Sequence, residues 1–78
     1  MNNTIVYTVK EVSEILKTNV TYVNKLRKAG LLRFMKIGSY KVRKEELERF
    51  LLECEGLDIT DPFNVTKLQE EQVSSQPV

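Results

Sequence analysis

Two short segments with helical periodicity, separated only by Thr18 and Asn19, constrain the fold of this chain more than any other feature. In the first, Val12, Ile15 and Leu16 fall at i, i+3 and i+4, the spacing of one apolar helix stripe. In the second, Val20, Val23 and Leu26 repeat at helical spacing. A two-residue connection forces the two helices to cross at a steep angle.

Local signals set the ends of both helices. Thr8-Val9-Lys10-Glu11 has the T-x-x-E form of a capping box and predicts the start of the first helix, which then runs about ten residues to near Lys17. Asn19 is a good N-cap for the second, and Gly30 suits the position just past its end, so that helix is expected over about 20–29. The outline is that of a helix-turn-helix.

Downstream, Arg33 to Ile37 and Tyr40 to Arg43 are β-favouring runs around Gly38-Ser39, the signature of a two-residue type II′ hairpin. That turn pairs Ile37 with Tyr40 and Met35 with Val42 on an apolar face. It sets Lys36 against Lys41 and Phe34 against Arg43 on the other, although like charges in cross-strand register destabilise a sheet. A third helix follows from Lys44, with Leu47, Phe50, Leu51 and Cys54 as its buried stripe, Glu45 and Glu46 in its first turn, and Gly56 to end it. Arg43 is a poor N-cap for it. Ile5-Val6-Tyr7 reads as an extended lead-in.

The expected fold class is α+β: a small winged helix-turn-helix of three helices, with a two-stranded hairpin, the wing, between helix 2 and helix 3. The expected division is a domain over 1–55 and an acidic C-terminal tail over 56–78, part or all of it disordered and ending in "QEEQVSSQPV".

A formal net charge of +1 conceals a sharp segregation. No Asp or Glu occurs from Ile15 to Lys44, while Lys17, Lys25, Arg27, Lys28, Arg33, Lys36, Lys41, Arg43 and Lys44 supply nine positive charges. From Phe50 onward six acids face only Lys67, a net of −5. A basic middle and an acidic end suit a polyanion-binding surface joined to a separate tail.

Other functions fare poorly. Cys54 is the single cysteine and there is no histidine, so neither a zinc site nor a Cys-His nucleophile can be built. Glu45, Glu46 and Glu48 cluster on a surface helix, where solvation accounts for them, and no enzyme activity or cofactor is expected. Neither an 18-residue apolar run nor an export signal is present, which leaves the cytoplasm as the expected location and no membrane as a partner.

The stretch "YTVKEVSEILKTNVTYVNKLRKAGLLRFMKIGSYKVRKEELERFLLE", residues 7–53 and about 60% of the chain, resembles the excisionase-type helix-turn-helix domains of the MerR-like winged-helix group. The likeness rests on Tyr7-Thr8-Val9, Glu11-Val12, Val20, Leu26, Ala29-Gly30-Leu31, Lys36-Ile37-Gly38, Tyr40, Val42, Glu46-Leu47 and Phe50-Leu51. It implies a DNA-binding domain of a phage or mobile element, with the second helix in the major groove and the wing on the neighbouring minor groove or backbone. Relatives of this kind commonly act as excisionases, which steer an integrase toward excision, and others are transcriptional regulators. The long dimerisation helix of MerR-type activators does not follow, so an effector-sensing activator is not expected.

At about 100° per residue, the side of the second helix away from its apolar stripe carries Thr21, Lys25 and Lys28, flanked by Asn24 and Tyr22. These five are the candidate DNA-binding residues of the helix. Lys36, Ser39, Lys41 and Arg43 are those of the wing. Arg27 lies nearer the core boundary, where its stem can cover apolar surface. The partner expected first is double-stranded DNA. An integrase meeting the acidic region around Phe63 and self-association on DNA are further partner expectations. A protein-interaction or antirepressor module is the competing class, and RNA binding is a third, with only Phe34 and Tyr22 as exposed aromatic platforms.

Overall fold

The computed structural model describes residues 5–68. Its first helix, α1 (Val9–Ile15), opens on the expected capping box: the Thr8 hydroxyl accepts from the Glu11 N–H at 3.1 Å, and Glu11 Oε1 accepts from the Thr8 N–H at 2.9 Å. At seven residues the helix is shorter than its periodicity predicts. Lys17 takes a left-handed φ of 58°, and the Thr18 N–H donates back to the Ser13 carbonyl at 2.8 Å, which closes the last turn as a Schellman motif.

The buried stripe of α1 also differs from the expected one. Val12 and Ser13 are buried and Val9 and Leu16 pack against the core, an i, i+3, i+4, i+7 set that leaves Ile15 44% exposed. Ser13 can occupy the stripe because its hydroxyl donates to the Lys10 carbonyl at 2.6 Å, which satisfies it within its own helix.

The second helix, α2 (Val20–Ala29), matches its expected span. Asn19 Oδ1 accepts from the Tyr22 N–H at 2.8 Å, and Gly30 takes the left-handed conformation at φ 79°. Val23 and Leu26 are fully buried, but Val20, in the first turn where the helix emerges from the Thr18-Asn19 link, is 42% exposed rather than part of the core.

The lead-in is a strand, β1 (Val6–Thr8), and it pairs antiparallel with β3 (Ser39–Arg43), which pairs in turn with β2 (Met35–Ile37). By element order the β2–β3 hairpin lies between α2 and the third helix. Its register corrects the expected one: Met35 faces Lys41, Lys36 faces Tyr40 and Ile37 faces Ser39, with Gly38 alone at the turn at φ 74°. A shift of one residue exchanges the faces of a strand, so Met35 and Ile37 leave the face of Tyr40 and Val42, and Ile37 is 62% exposed. The physical reason is charge: the expected register opposed Lys36 to Lys41, whereas the observed one sets the Lys36 ammonium 5.0 Å from the centroid of the Tyr40 ring.

The third helix, α3 (Lys44–Glu53), has no side-chain cap from Arg43. The Ile5 carbonyl of the lead-in takes its place, accepting from the Lys44 N–H at 2.9 Å. Leu47 and Phe50 are buried and Cys54 is half-buried, whereas Leu51 at 44% exposure lies off the stripe. Around Val12, Val23, Leu26, Leu32, Val42, Leu47 and Phe50 the helices and the sheet close one core.

Beyond Gly56, within the segment expected as an acidic tail, β4 (Leu57–Asp58) and β5 (Thr66–Lys67) pair antiparallel. Asp58 accepts from the Thr60 N–H and hydroxyl, and Asp61 from the Phe63 N–H at 3.0 Å, turn bonds typical of aspartate. Pro62 is buried and Ile59 packs against the core. The final stretch "QEEQVSSQPV", expected to be disordered, lies outside the described residues.

Lys17 holds a conformation that glycine adopts without a Cβ penalty. Lys17→Gly is expected to raise unfolding stability by about 1 kcal/mol, read as an increase in denaturation midpoint with an unchanged slope.

Candidate nucleic-acid interface

The exposed side of α2 carries Thr21, Lys25 and Lys28, all open to solvent. Its first turn contains no acid, and Arg27 and Lys28 in its last turn stand where a helix dipole favours cations. Tyr22 is turned the other way. Half-buried, it packs against the core, and its hydroxyl donates to the Ile59 carbonyl of the C-terminal hairpin. Burial pushes the Tyr22 phenol above its usual range, helped by the Cys54 thiol once it has ionised and by the Asp58 carboxylate.

On the opposite flank of α2, Asn24 is half-buried, and its Oδ1 accepts from Arg27 Nη2 at 3.5 Å. The Arg27 guanidinium lies 4.2 Å from the centroid of the Tyr40 ring, and Phe34 meets the same ring edge-on, with centroids 6.1 Å apart. Cation–π stacking therefore joins α2 to β3. Arg27 does more than cover apolar surface with its stem.

The structure divides the residues expected in the wing. Lys36 crosses to Tyr40, while Lys41 and Arg43 alternate onto the other face of β3 and Ser39 sits at the turn beside Gly38. Lys41 is curled over the turn, its ammonium donating to the Ser39 hydroxyl at 2.8 Å and to the Ile37 carbonyl at 3.2 Å. Arg43 pairs with Glu45 at 3.4 Å, both exposed. Lys25, Lys28 and Lys36 have no carboxylate within ion-pair distance among the described residues.

Glu46 holds this surface in place from behind. Its carboxylate accepts from the Arg33 N–H at 2.9 Å and from Arg49, whose Nη2 also donates to the Leu31 carbonyl at 3.2 Å. The linker from α2 to β2 is thereby pinned to α3. The hydrogen bond from Arg49 is the main reason the Glu46 carboxyl is lowered to about 2, with the Arg33 N–H adding to it and desolvation opposing it. The same contact raises Arg49.

Neither Lys10 nor Tyr40 stands out in the sequence as a site residue, yet with Asn24 and Ser39 they line one open hollow of about 380 Å³ between the start of α1, α2 and the hairpin. The capping box places Lys10 on the first turn of α1, but only the strand register reveals that Tyr40 approaches it. Among the described residues no helix is long and apolar enough to cross a membrane, and no group of His, Cys, Asp and Glu side chains is arranged to hold a metal ion.

Two helices joined by the four residues Leu16 to Asn19, rather than the two expected, with a hairpin beside the second, form a small helix-turn-helix module. Residues 6–55 match the helix-turn-helix domain family, and the chain belongs to that family of DNA-binding domains. Comparison with curated proteins and with solved structures found no match.

A glutamate whose pKa is lowered on folding contributes stability above its ordinary value of 4.5 and loses it as pH falls toward 2. Between about pH 6 and about pH 2 the wild type is expected to lose about 2 kcal/mol more than Glu46→Gln. Denaturant unfolding of both proteins across that range measures the difference.

Proposed function

We propose that this protein is an excisionase of a phage or mobile element that binds attachment-site DNA, with α2 in the major groove and the β2–β3 hairpin as a wing on the flanking minor groove or backbone. The observation that carries the DNA reading is the exposed, acid-free side of α2, Thr21, Lys25 and Lys28, joined to the hairpin through Arg27 and Tyr40. In this reading Lys25 and Lys28 meet phosphates or guanine edges, Thr21 touches a thymine methyl or a phosphate, and Asn24, its Oδ1 taken by Arg27, offers its NH2 at the edge of this face. Tyr22 supports the helix from the C-terminal side, and Lys36, Ser39, Lys41 and Arg43 offer wing contacts.

The excisionase role rests on the resemblance over residues 7–53, and a small transcriptional regulator would use the same surface. An integrase would meet the C-terminal hairpin, where Phe63 is 61% exposed beside Asp61. Comparing excision by the cognate recombinase with and without this protein separates the two roles.

If about five cations meet phosphates, log K falls with log salt at a slope of roughly −4.5. Titrations of duplex DNA at two or more salt concentrations read this slope directly. The double variant Lys25→Ala, Lys28→Ala is expected to bind more weakly with a slope shallower by about 2, and Lys36→Ala to flatten it by about 1, with circular dichroism unchanged in both. Salt-indifferent affinity of the wild type rejects the proposal.

A further inference from the structure

The hollow between α1, α2 and the hairpin is floored by Val9 and Val20 and rimmed by Thr8, Lys10, Asn24, Ser39 and Tyr40. The hydrogen bonds of its rim have a common consequence. The Thr8 hydroxyl oxygen already accepts from the Glu11 N–H, the Ser39 hydroxyl from the Lys41 ammonium, and Asn24 Oδ1 from Arg27. Because their oxygens are engaged, Thr8 and Ser39 have an O–H, and Asn24 an NH2, left to give. Tyr40 adds a phenolic O–H, and Lys10 adds an ammonium whose only ion-pair partner among the described residues is Glu14, at 3.5 Å on an exposed surface where such pairs hold weakly. The rim therefore presents donors.

Beside Tyr40 the charges are positive, while at Thr8 the Glu11 carboxylate accepts from the backbone N–H. Arg27 and Lys36 both rest on the Tyr40 ring, at 4.2 and 5.0 Å from its centroid, and neither has a carboxylate partner among the described residues. The two charges thus lie closer together than the Debye length of about 10 Å at 0.1 M ionic strength, so salt screens their repulsion only partly. Arg27 Nε is buried without a hydrogen-bond partner among the described residues. An anion seated beside Tyr40 would relieve this unbalanced charge.

We infer that the hollow is a phosphate-binding site, with Lys10, Asn24, Ser39, Tyr40 and the Thr8 hydroxyl as its donors and Arg27 as the positioning residue that turns the Asn24 amide toward it. The chemistry recognised is a phosphate group. Resting on the proposed DNA reading, its source is a backbone phosphate at the edge of the groove that α2 enters, which makes Thr8, Lys10 and Tyr40 part of the interface.

The test has two arms on the full chain. In the first, isotope-labelled protein is titrated with inorganic phosphate in the absence of DNA and followed by NMR. Saturable shifts at Lys10, Asn24, Ser39 and Tyr40, including the Asn24 side-chain NH2, and their loss in Asn24→Asp, are the expected result. Shifts confined to Lys25 and Lys28, or an Asn24→Asp variant that titrates like the wild type, overturn the site. In the second arm, DNA affinity is measured against salt for Lys10→Met and Asn24→Asp. Lys10→Met is expected to make the slope shallower by about 0.9, the loss of one charged phosphate contact, and Asn24→Asp to make it shallower as well by setting a negative charge against the phosphate. The Lys10 side chain is 77% exposed, so its replacement leaves the core untouched and keeps the arm decisive even where Asn24→Asp unfolds. Wild-type DNA binding with unchanged slopes in the variants overturns the backbone-phosphate source. No DNA binding by the wild type, with saturable phosphate in the hollow, brings down the proposed function and supports the site as a receptor for a free phosphate group.

Discussion

The Glu46 carboxylate is the contact on which the arrangement of this small domain depends. Among the described residues the buried core cluster gathers seven apolar side chains, a small core to which polar contacts add in setting α2, the hairpin and α3. Glu46 reaches from the first turn of α3 to the backbone of Arg33 and is itself held by Arg49, which reaches the Leu31 carbonyl. The path from the end of α2 to the start of β2 is thus bound at both ends of a short linker. Side-chain exposure of only 11% at Glu46 keeps water from competing for these bonds.

Tyr40 is the second organising element. Its ring receives Arg27 from α2, Lys36 from the neighbouring strand and the edge of Phe34, so three elements of different sequence origin meet on one aromatic side chain. The chain thereby keeps a high density of cations around its hairpin without pairing them all with acids. The quadrupole of the ring stabilises two of them, and the curled Lys41 hands its charge to the turn.

Much of this was legible in the residues and some was not, for identifiable reasons. The capping box at Thr8, the Asn19 cap and the Gly30 terminus are local, single-residue signals, and each sits where the pattern puts it. The family match over 6–55 encloses the stretch on which the resemblance rests. The hairpin register was not legible because the Gly38-Ser39 signature fits loops that differ by one residue, and the contact that separates them, Lys36 over the Tyr40 ring, is made across strands. Ile15 and Leu51 read as core from spacing alone, and a serine such as Ser13 gives no apolar signal of its place on the buried stripe. The β4–β5 hairpin was missed because its strands are two residues long, and aspartate turns and a buried proline carry the segment rather than periodicity. Of the site, the solvent-facing side of α2 followed from its helical period, whereas Tyr22, Lys10 and Tyr40 required knowledge of what packs beside them.

The bond from Tyr22 to the Ile59 carbonyl gives α2 a support on the flank opposite Tyr40. The helix is therefore braced on both sides, by one hairpin through Arg27 and by the other through Tyr22. On the proposed reading, in which α2 enters the groove, a helix held in this way has little freedom to change its tilt. Accommodation would then fall to the duplex, and the ease with which a given base sequence bends or widens would become part of what the domain distinguishes, even at base pairs that no side chain touches.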